Sequence, residues 1–282
     1  MKQRIITAII SICVLLPVLI FADYPIFPIA IALCSVIAVY ELLACVGLKK
    51  SVAVSIPFYL GAVAMPFLIR YLGNGTLLYA IIAAALLVSV LYLFTVLLFS
   101  HGKYELTKIS IAFFSIFYIL VGFNALVALH DFSAGGEYVY LFAFLGAWIT
   151  DTFAYFCGMI FGRGGKHKLL PEVSPKKTVE GSIGGIVFCT IFMVLFGLLI
   201  ELIEPDFSAN LLILAIAGVI VSVVAQIGDL SLSLIKRTYG IKDYGKLFPG
   251  HGGMLDRFDS VIAVSTIMLV FSFFFQFFEV AA

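Results

Sequence analysis

Eight of the charged residues that could do chemistry in this chain are gathered in one polar island. Residues 236–259 read KRTYGIKDYGKLFPGHGGMLDRFD and separate two long apolar runs. Lys236, Arg237, Lys242, Asp243 and Lys246 lead into Pro249, Gly250, His251, Gly252 and Gly253, and Asp256, Arg257 and Asp259 follow. Glycines let a backbone approach an anion closely and turn N–H groups toward it. A helix starting just after them favours negative charge at its N-terminus, and Lys and Arg neutralise what is left. The chemistry expected of the island is phosphate handling. His251 has three available roles: donor to a phosphate oxygen, acid or base, or a residue that holds the turn. A solvated connection with turn glycines is the plainer alternative, but it leaves the carboxylates unexplained.

Those carboxylates extend beyond the island. Asp229, in AQIGDLSLSLIKR, lies about two turns before the end of its apolar segment, and Asp151 lies in GAWITDTFAYFCG. An ionised Asp in a spanning helix costs about 2.5–3.5 kcal/mol on insertion scales, so each needs a partner, water or a metal. Asp256 and Asp259, spaced i and i+3, share a helix face. Together with Asp229 they form a set of hard oxygen donors suited to Mg²⁺, which keeps waters and shares substrate phosphates. Glu41 sits near the end of another apolar segment, close to Lys49 and Lys50, and reads as an interhelical hydrogen bond or ion pair.

A second basic loop, 162–180, carries Arg163, Lys166, Lys168, Lys176 and Lys177, and Thr178 or Ser174 is placed to cap the helix that follows. Anchoring on anionic lipid is its simpler reading. Ala154, Gly158 and Gly162, four residues apart, predict a tightly packed helix face, on which Asp151 and Tyr155 also fall, so that Asp151 is expected against a neighbouring helix rather than lipid.

The elements that must position these groups are set by composition. The chain has 282 residues, 63% hydrophobic and 12% charged, whereas a soluble domain is about a quarter charged. Lipid must therefore solvate most of it. Nine apolar segments are expected to span the membrane, at 5–22, 25–47, 51–71, 76–100, 108–130, 137–161, 181–203, 209–235 and 259–280. Prolines 17, 25, 28, 57 and 66 are expected to kink the first three. The first segment lacks a cleavage site opening into a polar domain and reads as a retained helix. With the N-terminus inside, every Lys and Arg except Arg70 falls on the inner side, as the positive-inside rule requires. Loops 162–180 and 236–258 are then cytoplasmic. Residues 1–135 read as scaffold and 136–282 as the catalytic region. Cys13, Cys34, Cys45, Cys157 and Cys189 lie in apolar runs and read as small buried hydrophobes. The basic residues are dispersed among loops, which excludes nucleic acid as an expected partner.

The run SLIKRTYGIKDYGKLFPGHGGMLDRFDS resembles the C-terminal signature of the phosphatidate cytidylyltransferase (CDP-diacylglycerol synthase) family at Ser233, Lys236, Arg237, Lys242, Asp243, Pro249, His251, Gly252, Gly253, Asp256, Arg257 and Asp259. WITDTFAYFCG and SPKKTVEGSIGG are similar to its middle motifs. The resemblance implies an all-α polytopic bundle, often dimeric, in the cell (inner) membrane with its site facing the cytoplasm. It implies a reaction of CTP with phosphatidate that needs Mg²⁺, held at Asp229, Asp256 and Asp259, with the number of cations left open. Catalytic roles would fall on Asp229, Lys242, Asp243, His251, Asp256, Arg257 and Asp259. Substrate phosphates would meet Asp151, Ser174, Lys176, Lys177, Thr178, Lys236, Arg237, Lys246, Gly252 and Gly253. A CTP-dependent polyprenol or phytol kinase, and a cation-coupled transporter using Asp151 and Asp229 as a relay, are the competing readings.

Overall fold

The computed structural model describes residues 2–162 and 167–280. Among them are nine helices: α1 (Lys2–Ile20), α2 (Ile26–Cys45), α3 (Val52–Leu72), α4 (Thr76–Phe99), α5 (Leu106–Phe132), α6 (Gly136–Phe161), α7 (Val179–Ile203), α8 (Leu211–Thr238) and α9 (Leu255–Ser272). Four short strands, β1 (Lys168–Leu170), β2 (Ser174–Thr178), β3 (Phe207–Ala209) and β4 (Phe278–Val280), form two antiparallel ribbons, β1 with β2 and β3 with β4. Seven helices, α2 to α8, are long and apolar enough to cross a membrane. This is a multi-pass, all-helical membrane protein.

The chain folds as two compact units. The first holds the chain through Val127 together with Tyr239–Arg257. Its centre is the packing of α2 on α3, where Ala38, Val39, Leu42, Leu43, Val54 and Ala62 are buried completely. Pro25 is the N-cap of α2 and Pro28 lies in its first turn, where a missing N–H goes unused. Pro57 and Pro66 fall within α3, which nevertheless runs on as one helix. Arg70, the basic residue expected outside, donates to the carbonyls of Ala22 (2.8 Å) and Asp23 (3.1 Å) and so ties the α1–α2 turn to the end of α3. Helix α4 buries only Leu78 and Leu93. A helix apolar on every face and so little covered by protein is one that lipid solvates.

The second unit holds Ala128–Thr238 together with the chain from Phe258, built around α6, α7 and α8. Gly181 of α7 lies against the Ala154 carbonyl of α6, and Gly184 against Cys157, so closely that neither position admits a Cβ. The small-residue face predicted at Ala154 and Gly158 is this contact. Tyr155 is not part of it: its side chain is 67% exposed, because residue 155 lies about 100° round the helix from 154. Asp151 is exposed in part, but its carboxylate meets Ser260 of α9, so it does face a neighbouring helix. The segment expected to span 259–280 is helical only to Ser272. Phe277 and Phe278 instead pack on Phe142, with ring centroids 6.4 and 6.1 Å away, and residues 278–280 pair with β3.

Candidate active site

Within the first unit, the glycine-rich loop is built from a turn and two carboxylates. Phe248 to His251 form a turn closed by the His251 N–H donating to the Phe248 carbonyl (2.8 Å), with Pro249 second and Gly250 third at φ +80°, the pattern of a type II turn. Gly252 follows at φ +89°, bridged back to Phe248 by the Phe248 N–H donating to the Gly252 carbonyl (2.9 Å). Asp256, in the first turn of α9, then accepts at Oδ2 from the N–H groups of Tyr244 (2.8 Å) and Gly253 (2.9 Å). Glu41 of α2 accepts from the N–H groups of Met254 and Leu255, both at 2.9 Å.

These contacts correct the sequence expectation on one point. The N–H groups of Gly253 and of the first residues of α9 are engaged by protein carboxylates, so they do not form an open anion cradle. Asp256 likewise commits one oxygen to the loop. What the loop presents outward is side-chain charge: Lys242, Asp243, Lys246 and Arg257 are exposed. His251 is half-buried, and its Nδ1 is enclosed without a hydrogen-bond partner among the described residues.

The second unit carries the other expected residues. Thr178 is the N-cap of α7, its hydroxyl accepting from the Gly181 N–H at 3.1 Å; Ser174 lies on β2 and is not the cap. The cap places Lys177, the residue before it, in an ion pair with Asp229 of α8. Asp229 and Asp259 of α9 lie close enough for their carboxyl groups to interact, and Ser233 Oγ donates to Asp229 Oδ1 at 3.4 Å. Lys236, one turn beyond Ser233, is only 7% exposed and close enough to interact with both aspartates. Ser260 Oγ lies 3.1 Å from Asp151 Oδ2 and 3.4 Å from Asp259 Oδ1, one hydroxyl proton between two carboxyl groups. The Ser260 N–H donates to Asp259 Oδ1 at 2.8 Å. Arg237 Nε donates to the Val173 carbonyl (3.3 Å), holding the β1–β2 hairpin, and Lys176 on β2 is exposed. Arg163 and Lys166 lie outside the described residues.

Ser260 carries no sequence signal beyond following Asp259. Glu41 did carry one, an acid in an apolar helix, but its backbone partners were not readable from nearby lysines.

The donor set of the second unit fits Mg²⁺. Two carboxyl groups close enough to interact are relieved by either a shared proton or a cation between them. Asp259 is 8% exposed, and the donors are all oxygen. Among the described residues no three His, Cys, Asp or Glu side chains are assembled as a ready-made metal site. Two carboxylates, with other positions left to water and substrate phosphate, is how Mg²⁺ is usually held.

An aspartate pair with lysine partners among membrane-length helices marks a site of fixed charge in a polytopic membrane protein. The chain belongs to the cytidylyltransferase family, whose model matches residues 2–275. Its sequence is 34% identical over 268 residues to the phosphatidate cytidylyltransferase of Staphylococcus haemolyticus, covering 95% of this chain and 97% of that protein. It is 35% identical, with the same coverage, to the proteins of that name from Staphylococcus saprophyticus and Staphylococcus aureus. The family resemblance of the signature is thereby borne out along nearly the whole chain.

Proposed function

We infer that this protein transfers the cytidylyl group of CTP to phosphatidate, giving CDP-diacylglycerol and pyrophosphate for phospholipid synthesis. The observation that carries this reading is the identity to phosphatidate cytidylyltransferases across 95% of the chain. A phosphate oxygen of phosphatidate attacks the α-phosphorus of CTP. The bond from that phosphorus to the bridging oxygen of the β-phosphate breaks, and pyrophosphate leaves with the electron pair. The nucleophile is already an anion, so no strong base is required. The barrier lies in bringing anions together, which positioning and fixed charge lower.

Asp229 and Asp259 would hold Mg²⁺, which supplies charge neutralisation at the triphosphate when bound. Lys177 and Lys236 balance the charge of that aspartate pair, and Ser260 orients Asp259 and Asp151. Lys242, Lys246 and Arg257 screen phosphate charge from the loop, Asp243 orients its lysine neighbours, and His251 donates to a phosphate oxygen. Lys176 and Arg237 add positive charge at the β1–β2 hairpin. The acyl chains stay in lipid while the headgroup reaches the interface.

The test is an assay of purified protein with phosphatidate and CTP labelled at the α-phosphate, with and without Mg²⁺. Labelled CDP-lipid together with free pyrophosphate is the expected result. Phosphorylated lipid with CDP would identify a lipid kinase instead, and no CDP-lipid under any divalent condition would refute the reading.

The membrane arrangement belongs to the same proposal. Counting α1 and α9, the chain crosses nine times, so its termini lie on opposite sides, and the basic residues of the inner loops assign the N-terminus to the cytoplasm. At about 1.5 Å per residue, the 18 residues of α9 nearly match a hydrocarbon core of about 30 Å. The protein resides in the cell (inner) membrane with both polar loops cytoplasmic. A homodimer completes the reading, and light scattering of the detergent-solubilised protein checks it.

A further inference from the structure

Glu41 takes no part in the chemistry above, yet it is among the most completely enclosed acidic side chains of the first unit, at 4% exposure. Its two oxygens divide their work: Oε1 accepts from Met254 N–H and Oε2 from Leu255 N–H, both at 2.9 Å. These are donors at the start of α9, which have no partner within their own helix, and a carboxylate there is favoured by charge as well as by hydrogen bonding.

Two glycines of the signature loop make room for it. A Cβ at Gly245 would run into the Glu41 carboxylate. At Gly253 the three atoms nearest an added Cβ all belong to Glu41, and the Gly253 backbone is not in the left-handed region. Nothing in the backbone conformation demands a glycine at 253; the carboxylate of Glu41 does.

We propose that Glu41 is a positioning residue for cytidylyl transfer. From α2 it sets the first turn of α9 and the loop that carries Lys242, Lys246, His251 and Arg257, without touching substrate. The proposal rests on the reading of that loop as the phosphate-handling segment.

The experiment compares Glu41→Gln, Glu41→Ala, Gly253→Ala and the double variant Glu41→Ala/Gly253→Ala in the purified full-length protein. Gln keeps the volume but turns an NH₂ toward one of the two N–H donors. Glu41→Gln is expected to raise KM for CTP and lower kcat/KM about 10- to 100-fold. Trypsin should cut at Lys242 and Lys246 faster, while the thermal midpoint in detergent stays close to that of the unmodified protein. In the double variant the methyl group added at position 253 occupies the space left by the carboxylate. Its loss should therefore be no greater than that of Glu41→Ala alone, whereas independent sites would multiply their losses.

Unchanged KM for CTP in Glu41→Gln, or multiplied losses in the double variant, would overturn the proposal. So would activity that falls only in step with the thermal midpoint, without faster cleavage at Lys242 and Lys246, since that pattern marks a role in the whole fold. If the unmodified protein makes no CDP-lipid while Glu41→Gln still exposes the two lysines to trypsin, the functional reading has failed and the structural link stands.

Discussion

Lys177 shows how one placement turns a loop cation into part of a buried cluster. It precedes the Thr178 cap of α7 and reaches Asp229 of α8, which in turn meets Asp259. Replacing Asp229 or Asp259 by Asn keeps the shape and removes the charge that would hold the cation. Either change is expected to abolish CTP-dependent turnover while leaving a folded protein, as judged by size-exclusion chromatography; near-normal activity in both would end the metal assignment. Lys177→Met should lower turnover at least 100-fold and also lower the thermal midpoint, because Asp229 is left half-buried without its ion pair. Asp256 predicts a different outcome. Asp256→Ala strands the Tyr244 and Gly253 N–H groups, and should loosen the loop to proteolysis as well as reduce activity. The aspartates and lysines were all legible as candidates, since a charged residue in or beside an apolar helix is conspicuous. Which of them pair was not, because pairing depends on neighbours in space.

Helix α7 was readable at its start and α9 was misjudged at its end, and the difference is physical. An N-cap is a local device: Thr178 needs only the N–H of Gly181 three residues on, so the sequence could narrow the cap to Thr178 or Ser174. Thr178→Val should cost about 1 kcal/mol, seen as a lower thermal midpoint in detergent, and should weaken activity by shifting Lys177. The aromatic run after Ser272 is apolar enough to continue a helix. It turns into β4 instead because Phe278 packs among Phe142 and Phe207 and its strand pairs with β3. The α6–α7 contact was partly legible, since small residues at a spacing of four are a packing signal, but the partner face at Gly181 and Gly184 was not. Gly181→Leu, pressed against the Ala154 carbonyl, is expected to prevent recovery of monodisperse protein from detergent, whereas Gly75→Leu, with open space around it, should be recovered normally.

For the molecule as a whole, the membrane is the solvent that the composition demands, and the proposed direction across it rests on the distribution of basic residues. In a cysteine-free background, Lys246→Cys should react with a membrane-impermeant maleimide from the cytoplasmic side of sealed vesicles, and Asn74→Cys from the opposite side. Labelling of both from one side would overturn the proposed orientation. The membrane class, the helical architecture and the family were determined by sequence alone, and the acids and lysines stood out in it as candidates, because hydrophobic length and the presence of charge are properties of a segment by itself. Tertiary structure decided what each buried acid does. Glu41 was close in sequence to Lys49 and Lys50, yet it binds the backbone at Met254 and Leu255. Asp256, grouped by spacing with Asp259, is drawn into the loop by Tyr244 and Gly253. Helices solvated by lipid are apolar on nearly every face, so their periodicity scarcely distinguishes one neighbour from another. The partner of a carboxylate is settled only when the helices have packed and its hydrogen bonds must be satisfied.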